Sequence, residues 1–461
     1  MSVAANTEGS VDSRNKTSDS GLKWKPFALQ LYRLIVLVAI VLLIRDHRTR
    51  LRIEADAPIT VPEVRTWFPA ARAVELDKEK GGLFVLDDAR QPLGYEDEKA
   101  AFFILDDARQ PLGYVIRTRP VCDHVVGYAG PTDTMIVFDN AQTVRAVKIR
   151  SSPDTITHVG DVVGDPFFLE KWNGKSWNQV AAMTLKKEEI DSVSGATLTS
   201  MAIAQSITLR LRATEDAALH PPVRFTPRDL GLMGALLLAV TVAFTSWRGS
   251  KWMRRVLQVT AVGYVGLING DLIAQSLLSG WAASGVAWRL APGMALLVAA
   301  ALVVPWTTRR ALYCQYICPH GAAQEFLHTI KPRAFSLHLP PSLASGLRWL
   351  PFFLLVISIA VTMLLLPLDL AGIEPFDAYL IRSAGKATIA IAIVGLVASL
   401  FIPMAYCKFG CPTGALLEFL RSHGRSDHFG KRDIAAAFLV LLTVVLYHGH
   451  ATISAWIAGL Q

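Results

Sequence analysis

Long apolar runs separated by short polar and basic segments form the main pattern of this chain. A helix needs about 20 mostly apolar residues to cross roughly 30 Å of hydrocarbon. Seven stretches approach that length and each predicts a membrane span: residues 27–44, 229–247, 256–279, 290–306, 350–368, 387–404 and 434–457. We therefore expect an anchor helix at 27–44 and an all-α polytopic membrane domain with six spans at 227–461.

Between the first two predicted spans, residues 45–226 have an ordinary globular composition. Apolar and polar residues alternate at 133–139 and 143–149, and the turn between these segments predicts a β-hairpin. The expected fold class is thus an α+β domain joined to a membrane domain of about seven spans in total. Residues 1–26, rich in Ser, Asn and Asp, are predicted to form a disordered cytoplasmic tail.

A tandem 19-residue repeat occupies residues 77–114. Ten residues are identical in its two copies, at 86–95 and 105–114. Each copy predicts a strand, a turn and a second strand. Because two copies are too few for a solenoid, we interpret the repeat as a local duplication that extends one edge of a sheet.

Composition and charge support a membrane protein. Of the 461 residues only 18% are charged, against about 25% in soluble globular proteins. Fourteen Lys and Arg residues lie in the loops 248–255, 307–349 and 405–433, but only three in the opposite loops 280–289 and 369–386. The positive-inside rule then predicts a multi-pass protein of a bacterial inner membrane, with a cytoplasmic N-terminus and residues 45–226 in the periplasm. The net charge of +8 is thereby explained without nucleic acid as a partner.

Four of the five cysteines lie in two similar motifs at residues 313–327 and 406–420, where nine of fifteen positions are identical. Both motifs follow the predicted inner ends of spans, so we expect these cysteines at the cytoplasmic surface. A proline follows the second cysteine of each pair and predicts the start of a helix. The helix dipole there favours the thiolate form that metals bind. The predicted ligands are Cys314, Cys318, Cys407 and Cys411.

Four thiolates suit a [2Fe–2S] cluster, a [4Fe–4S] cluster or a zinc ion, and they also suit copper(I). A redox-active disulfide of unmetallated thiols is a further alternative. The fifth cysteine, Cys122, has no partner in its domain, and we expect it to be a small buried apolar residue.

The segment 191–197 combines a glycine between small residues with an apolar-periodic helix at 198–211. A hydroxyl at such a turn, close to the free N–H groups of a helix N-terminus, suits a phosphate group. The same residues serve equally well as a plain helix cap.

The residues Asp191, Ser194, Gly195, Ala196 and Thr197 of this segment resemble the flavinylation motif of the FMN-binding domain in NosR/NirI-type membrane proteins and in the RnfG and NqrC subunits. The segment 127–131 also resembles part of the NosR-type domain. The resemblance implies FMN joined to Thr197 through a phosphoester, which a flavin transferase installs outside the cytoplasm.

The two C-x3-C-P motifs resemble the membrane portion of NosR/NirI-type proteins and of the related protein PceC. This resemblance implies an iron–sulfur centre of unspecified type at the four cysteines. Larger NosR members add two C-terminal ferredoxin clusters, and no complete ferredoxin motif occurs in this sequence.

The third predicted span contains Asn269, Asp271 and Gln275 near its middle. A carboxylate inside a membrane is a functional candidate. Asp271 is therefore a candidate proton acceptor in quinol oxidation, with a structural hydrogen bond to a neighbouring helix as the alternative.

These features predict transmembrane electron transfer. Electrons would pass from a cytoplasmic donor or the quinol pool through the cysteine-bound centre to FMN, which would reduce an extracytoplasmic acceptor. The alternative is a regulatory or maturation factor that handles metal for a periplasmic reductase such as nitrous-oxide reductase. Cytoplasmic cysteines and an external flavin would be separated by about 30 Å of hydrocarbon, which the first hypothesis must explain.

Overall fold

The computed structural model describes residues 26–54, 58–76, 101–107, 111–183, 192–212, 223, 225–330, 339–366, 368–380 and 384–458. Most of the predicted tail, the first copy of the 19-residue repeat and Asp191 lie outside the described residues.

The described residues form a sheet domain, residues 58–212, and a helical domain made of the first helix and residues 225–458. The strands of the sheet domain are β1 (Ala73–Leu76), β2 (Ala101–Leu105), β3 (Pro111–Arg117), β4 (Asp133–Asp139) and β5 (Val144–Ser151). Its helices are α2 (Val61–Val64), α3 (Ile156–Gly164), α4 (Trp177–Ala182) and α5 (Thr197–Arg212), with a 3-10 turn at Glu170–Trp172.

The helices of the helical domain are α1 (Pro26–Glu54), α6 (Pro227–Phe244), α7 (Lys251–Val259), α8 (Gln275–Ser284), α9 (Pro292–Thr307), α10 (Pro319–Ile330), α11 (Pro341–Leu347), α12 (Leu350–Leu364), α13 (Lys386–Phe401), α14 (Ala405–Phe409), α15 (Pro412–Leu420) and α16 (Lys431–Ala458). π-Helices follow α7 at Thr260–Asn269 and precede α10 at Tyr313–Ile317. Short 3-10 turns occur at Ser246–Gly249, Leu370–Ile373, Asp377–Tyr379 and Gly424–Ser426.

The five strands form an antiparallel meander in the order β1-β2-β3-β4-β5. The predicted hairpin is confirmed, because β4 pairs with β5 and Val137 faces Ala146. The second copy of the repeat forms β2 and the start of β3, as its pattern predicts.

Both faces of the central strand β4 are covered. Successive side chains of a strand point to opposite faces. Ile136 and Phe138 pack with Trp172 and Ile203 on the α5 side, whereas Val137 packs with Phe68 on the other side. The consequence is a rigid platform that holds α5, whose residues 202–211 are all buried.

The seven-span count is not confirmed. Within the described residues, four helical stretches are long and apolar enough to cross a membrane by length and composition: Phe27–Arg52, Pro227–Phe244, Pro341–Leu364, which comprises α11 and α12, and Lys431–Ile457. Shorter apolar helices, Pro292–Thr307 and Lys386–Phe401, occupy two more of the predicted stretches.

The remaining stretch, 256–279, is not one helix. The π-helix after α7 ends at Gly270, which has a φ of +77°, and α8 begins only at Gln275. An added Cβ at Gly270 would lie 2.2 Å from Cδ2 of Leu380, so both backbone conformation and space require glycine there. The intervening residues Leu272, Ile273 and Ala274 are at most 4% exposed. The prediction failed because apolar content does not distinguish a continuous span from a broken one that is buried in protein.

The sheet domain packs directly against α8. Gly280 has no room for a side chain, since an added Cβ would lie 2.3 Å from Cα of Ala129. Tyr128 Oη lies 3.2 Å from Oγ of Ser276, and Ser284 Oγ donates to the carbonyl of Ala129 at 3.4 Å. These contacts bring the sheet domain against the broken segment at 270–274.

A buried ionic network fixes α1 to the C-terminal part of the chain. Arg33, fully buried in an apolar helix, donates to Asp427 at 2.8 Å and to Asp433 at 2.8 Å. The two carboxylates are at most 2% exposed. A charge in such surroundings is stable only when it is paired.

We expect Arg33→Ala to lower the free energy of unfolding by about 3–5 kcal/mol, because the buried carboxylate of Asp433 loses its close counter-charge and that of Asp427 keeps only Arg432, at 2.8 Å. Unfolding in detergent micelles, followed by circular dichroism, measures this loss. Arg50→Ala is the matched control: Arg50 pairs with Asp46 on the same helix, but both side chains are more than half exposed. Its loss should stay within about 1 kcal/mol. Equal losses in the two variants would contradict this account of the network.

Candidate functional site

The turn at residues 193–197 sets the start of α5. Gly195 has a φ of +91°, which glycine adopts without strain. The N–H of Val193 donates to Ser200 Oγ at 3.0 Å, and the N–H of Ala196 donates to the carbonyl of Val193 at 3.1 Å. The predicted helix at 198–211 is confirmed, and Thr197 is its first residue.

Thr197 lines a cavity of about 250 Å³ between the sheet domain and the helical domain. Arg228, in the first turn of α6, donates from Nη1 to Thr197 Oγ1 at 3.2 Å. From the sheet domain, the cavity is also lined by Ser194, Gly195, Ala196 and other residues near Thr197, by Tyr128 and by His158. From the helical domain it is lined by the following: Thr226, Arg228, Asp229, Leu267, Ile268, Asn269, Gly270, Asp271, Leu290, Ala291 and Leu380.

Asp271 lies on this cavity wall, not in the middle of a continuous helix. Its carboxylate accepts a hydrogen bond from Nδ2 of Asn269 at 2.9 Å. Gln275, predicted to share a span with these two residues, instead begins α8 and points away, with its Nε2 donating to Thr413 Oγ1 at 3.2 Å.

Sequence inspection missed Asp154, which connects the loop at 127–130 to α5. Its carboxylate accepts the N–H groups of Ala129 at 2.6 Å, of Gly130 at 3.0 Å and of Tyr128 at 3.3 Å. It also accepts the hydroxyl of Thr199, two residues after Thr197. Asp154 therefore fixes the helix start that carries Thr197, yet no local motif marks it.

The two cysteine motifs form equivalent structures. Cys318 directly precedes α10, and Cys411 is the N-cap of α15, so both prolines start helices as predicted. All four motif cysteines are free thiols and line one cavity of about 880 Å³. The tertiary structure thus brings both pairs together.

Two of the sulfurs accept hydrogen bonds. The N–H of Gly414 donates to Cys411 Sγ at 3.1 Å, and Gln324 Nε2 donates to Cys407 Sγ at 3.2 Å. Gln324 is fully buried, and its Oε1 accepts from Ser399 Oγ at 2.8 Å, which fixes the orientation of the amide. Donors of this kind stabilise negative charge on ligating sulfur.

The donor set fits an iron–sulfur cluster. Four thiols from two equivalent motifs line one cavity, and four thiolates are the usual ligands of a [2Fe–2S] or [4Fe–4S] cluster.

The broken segment connects the two cavities. Asn269 and Asp271 at its start line the cavity of Thr197. Further along, the N–H of Ile273 donates to Tyr313 Oη at 3.0 Å, and Tyr313 directly precedes Cys314. The N–H of Gln275 donates to the buried carboxylate of Glu374, which also accepts from Thr413 Oγ1 at 2.7 Å. One stretch of seven residues, 269–275, therefore lines the cavity of Thr197 and also contacts a residue of the first cysteine motif.

Cys122 is 2% exposed and packs with Val125 and Leu209. Burial raises the pKa of its thiol to about 12, so the thiol stays protonated. The prediction of a buried apolar residue is confirmed.

Comparisons with known proteins agree with this arrangement. The family of FMN-binding domains matches residues 127–211, and the family of 4Fe-4S binding domains matches residues 290–337 and 385–432. The first match contains Thr197, and the second contains both cysteine pairs. No solved structure matches the chain.

Two curated proteins are similar to parts of the chain. YccM of Escherichia coli (strain K12), a proposed electron transport protein, is 29% identical over 202 residues, which are 40% of this chain and 55% of YccM. The regulatory protein NosR of Pseudomonas aeruginosa is 29% identical over 114 residues, which are 23% of this chain and 16% of NosR. The chain thus spans about half the length of the first relative and about a sixth of the second.

The protein is of the class that combines an FMN-binding domain with a 4Fe-4S binding domain among apolar helices. The similarity to parts of YccM and NosR agrees with the predicted resemblance to NosR-type membrane proteins. The predicted family resemblance is confirmed.

We expect Asp154→Ala to lower both stability and flavin content, because three buried N–H groups lose their acceptor at about 1–3 kcal/mol each. Thermal unfolding and the flavin absorbance per chain of the purified protein measure the two effects. Asp139→Ala is the matched control, since Asp139 also accepts two backbone N–H groups, but at the exposed turn between β4 and β5. This control should retain the wild-type flavin content. A wild-type flavin content in Asp154→Ala would contradict the role assigned to Asp154.

Proposed function

We propose that the protein transfers electrons across a membrane between an iron–sulfur cluster at Cys314, Cys318, Cys407 and Cys411 and an FMN esterified to Thr197. The observation that carries the proposal is the position of one short segment, residues 269–275. Its first residues line the cavity of Thr197, and its last residues hydrogen-bond Tyr313 and Thr413, which line the cysteine cavity. Matches to FMN-binding and 4Fe-4S binding domains support the two cofactors.

The residues around Thr197 fit a phosphoester. Bound FMN supplies the electron transfer that protein side chains cannot perform. The Thr197 hydroxyl faces the cavity, and the Arg228 guanidinium beside it provides the charge and the planar donors that suit a phosphate group. Ser194, Gly195 and Ala196 shape the turn that presents Thr197, and Asp191 completes the motif. A flavin transferase is the partner that this linkage requires.

We expect Thr197→Ala to abolish flavin fluorescence of the protein band on a denaturing gel, because only a covalent flavin survives denaturation. Ser192→Ala is the matched control, since Ser192 is an exposed hydroxyl in the same loop. It should retain the fluorescence. Fluorescence that persists in Thr197→Ala would exclude Thr197 as the attachment site.

Cys318 lies at the end of α10 that is close to the π-helix of residues 260–269. α10 begins beside Gly266 of that π-helix, since an added Cβ there would lie 3.1 Å from Cβ of Pro319. It ends beside α7, where Arg255 Nη2 donates to Thr329 Oγ1 at 3.0 Å. Twelve residues at 1.5 Å each place Cys318 about 18 Å along the helix axis from that end. The cysteine therefore lies on the side of α10 from which the π-helix leads to the cavity of Thr197.

In the proposed topology the basic loops lie in the cytoplasm of a bacterium and the sheet domain lies in the periplasm, and the proposed direction of transfer is outward. Electrons enter from a cytoplasmic donor or the quinol pool and leave from FMN to an extracytoplasmic acceptor. Apolar residues of α1 and α12, Val36, Ile40 and Phe352, line the cysteine cavity, which supports an apolar donor such as quinol. Asp271, the proposed proton acceptor, lines the cavity of Thr197 (the flavin cavity) and not the cysteine cavity, so its proton would be exchanged beside the flavin rather than with a quinol at the cysteines.

We expect the purified protein to contain iron and sulfide in equal amounts, and any one of the four motif cysteines replaced by serine to lose most of both. Cys122→Ser is the matched control, because Cys122 lies in the sheet domain away from the motifs, and its metal content should equal that of the wild type. Plasma emission spectrometry and sulfide analysis measure these contents.

A second candidate, a regulatory or maturation factor for a periplasmic reductase, is favoured by the similarity to the regulatory protein NosR. The same metal analysis distinguishes the two proposals. Copper or zinc without sulfide would contradict electron transfer through the cysteines and support metal handling.

A further inference from the structure

Asn269 is a polar side chain of the helical domain that lines the flavin cavity and has no role in the proposed function. Asn269, the last residue of the π-helix, is 5% exposed and lines the cavity. Its Nδ2 donates to Asp271, but its Oδ1 has no hydrogen-bond partner among the described residues. An unsatisfied buried acceptor costs about 1–3 kcal/mol, so a donor is expected beside this oxygen.

The backbone holds Asn269 in this position. Gly270 turns the chain with its positive φ and contacts Leu380 closely, and the hydrogen bond to Asp271 fixes the side-chain amide. One N–H of the amide donates to Asp271, which sets the orientation of the amide. The oxygen is then the acceptor that remains for a ligand. A fixed acceptor of this kind is pre-organised for one donor.

The chemistry of the cavity identifies that donor. Thr197 and Arg228 occupy the sheet-domain side and the α6 side of the cavity, where the phosphate end of FMN would be held. The isoalloxazine ring of FMN carries a single imide N–H between two carbonyl groups. This N–H is the one strong donor on the ring, and it requires an acceptor when the ring is shielded from water.

We propose that Oδ1 of Asn269 accepts a hydrogen bond from the imide N–H of the flavin, so that the helical domain completes the flavin site. This inference rests on the proposed attachment of FMN to Thr197. It assigns to Asn269 a positioning role, in which the broken segment that contacts the cysteine motifs also orients the flavin.

The test compares the wild type with Asn269→Leu, Asn269→Asp and Gln205→Leu. Gln205 is the matched control because it is also a buried amide, 3% exposed, whose Oε1 has no partner among the described residues, but it does not line the cavity. Resonance Raman spectra of the holoprotein in H2O and D2O report the imide N–H bending band, whose frequency rises with hydrogen-bond strength.

We expect the band to shift to lower frequency in Asn269→Leu, which removes the acceptor. The band should also shift in Asn269→Asp, because the second oxygen would stand where Nδ2 now donates to Asp271, and the two carboxyl groups would have to share a proton. The Gln205→Leu spectrum should equal that of the wild type. An unchanged band in both Asn269 variants would overturn the inference and indicate water as the donor to Oδ1.

Two features keep the outcomes separate. If Asn269→Leu does not fold, Asn269→Asp alone decides, and an unchanged band in that variant overturns the inference. Denaturing-gel fluorescence is recorded for every variant. Its absence in the wild type would contradict the Thr197 linkage itself, whereas fluorescent Asn269 variants with unchanged bands would contradict only the role of Asn269.

Discussion

The placement of the two proposed cofactor sites depends on one constraint. A broken helix inside an apolar bundle needs hydrogen-bond acceptors from other parts of the chain for its backbone N–H groups. Unpaired backbone groups in such surroundings cost several kcal/mol, so irregular backbone is tolerated only where protein encloses it. Here Tyr313 accepts the N–H of Ile273, and Glu374 accepts that of Gln275. The groups that satisfy the break belong to or contact the cysteine motifs, which places those motifs beside it.

The same break forms the helical-domain wall of the flavin cavity. Because the chain turns at Gly270, Asn269 and Asp271 face the start of α5 in the sheet domain. The sheet domain is held there by the close approach of Ala129 to Gly280, and Asp154 fixes both Ala129 and Thr199. One irregular segment therefore relates the two proposed cofactor sites, and its backbone hydrogen bonds constrain their separation.

Several features followed from local sequence. Alternating apolar residues predicted β4 and β5, and a glycine before an apolar-periodic run predicted the start of α5. Pro319 and Pro412 predicted the helices after the cysteines. Each depends on backbone preferences within a few residues, which is why the pattern was sufficient. The prediction of one continuous helix at 256–279 was wrong. The apolar content of this stretch favours a helix, but Gly270 between Asn269 and Asp271 is a turn signal.

By itself, the sequence determined which residues are proposed to carry the chemistry: the cysteine pairs and the motif that ends in Thr197, with apolar helices around them. Only the tertiary structure decided which of these meet. Arg228 beside Thr197, Asp154 beneath the 127–130 loop and Ile273 beside Tyr313 join residues that are 24 or more positions apart in the chain. The physical reason is that a local pattern records the preference of one segment, whereas a buried donor or charge is paired by whichever segment packs against it.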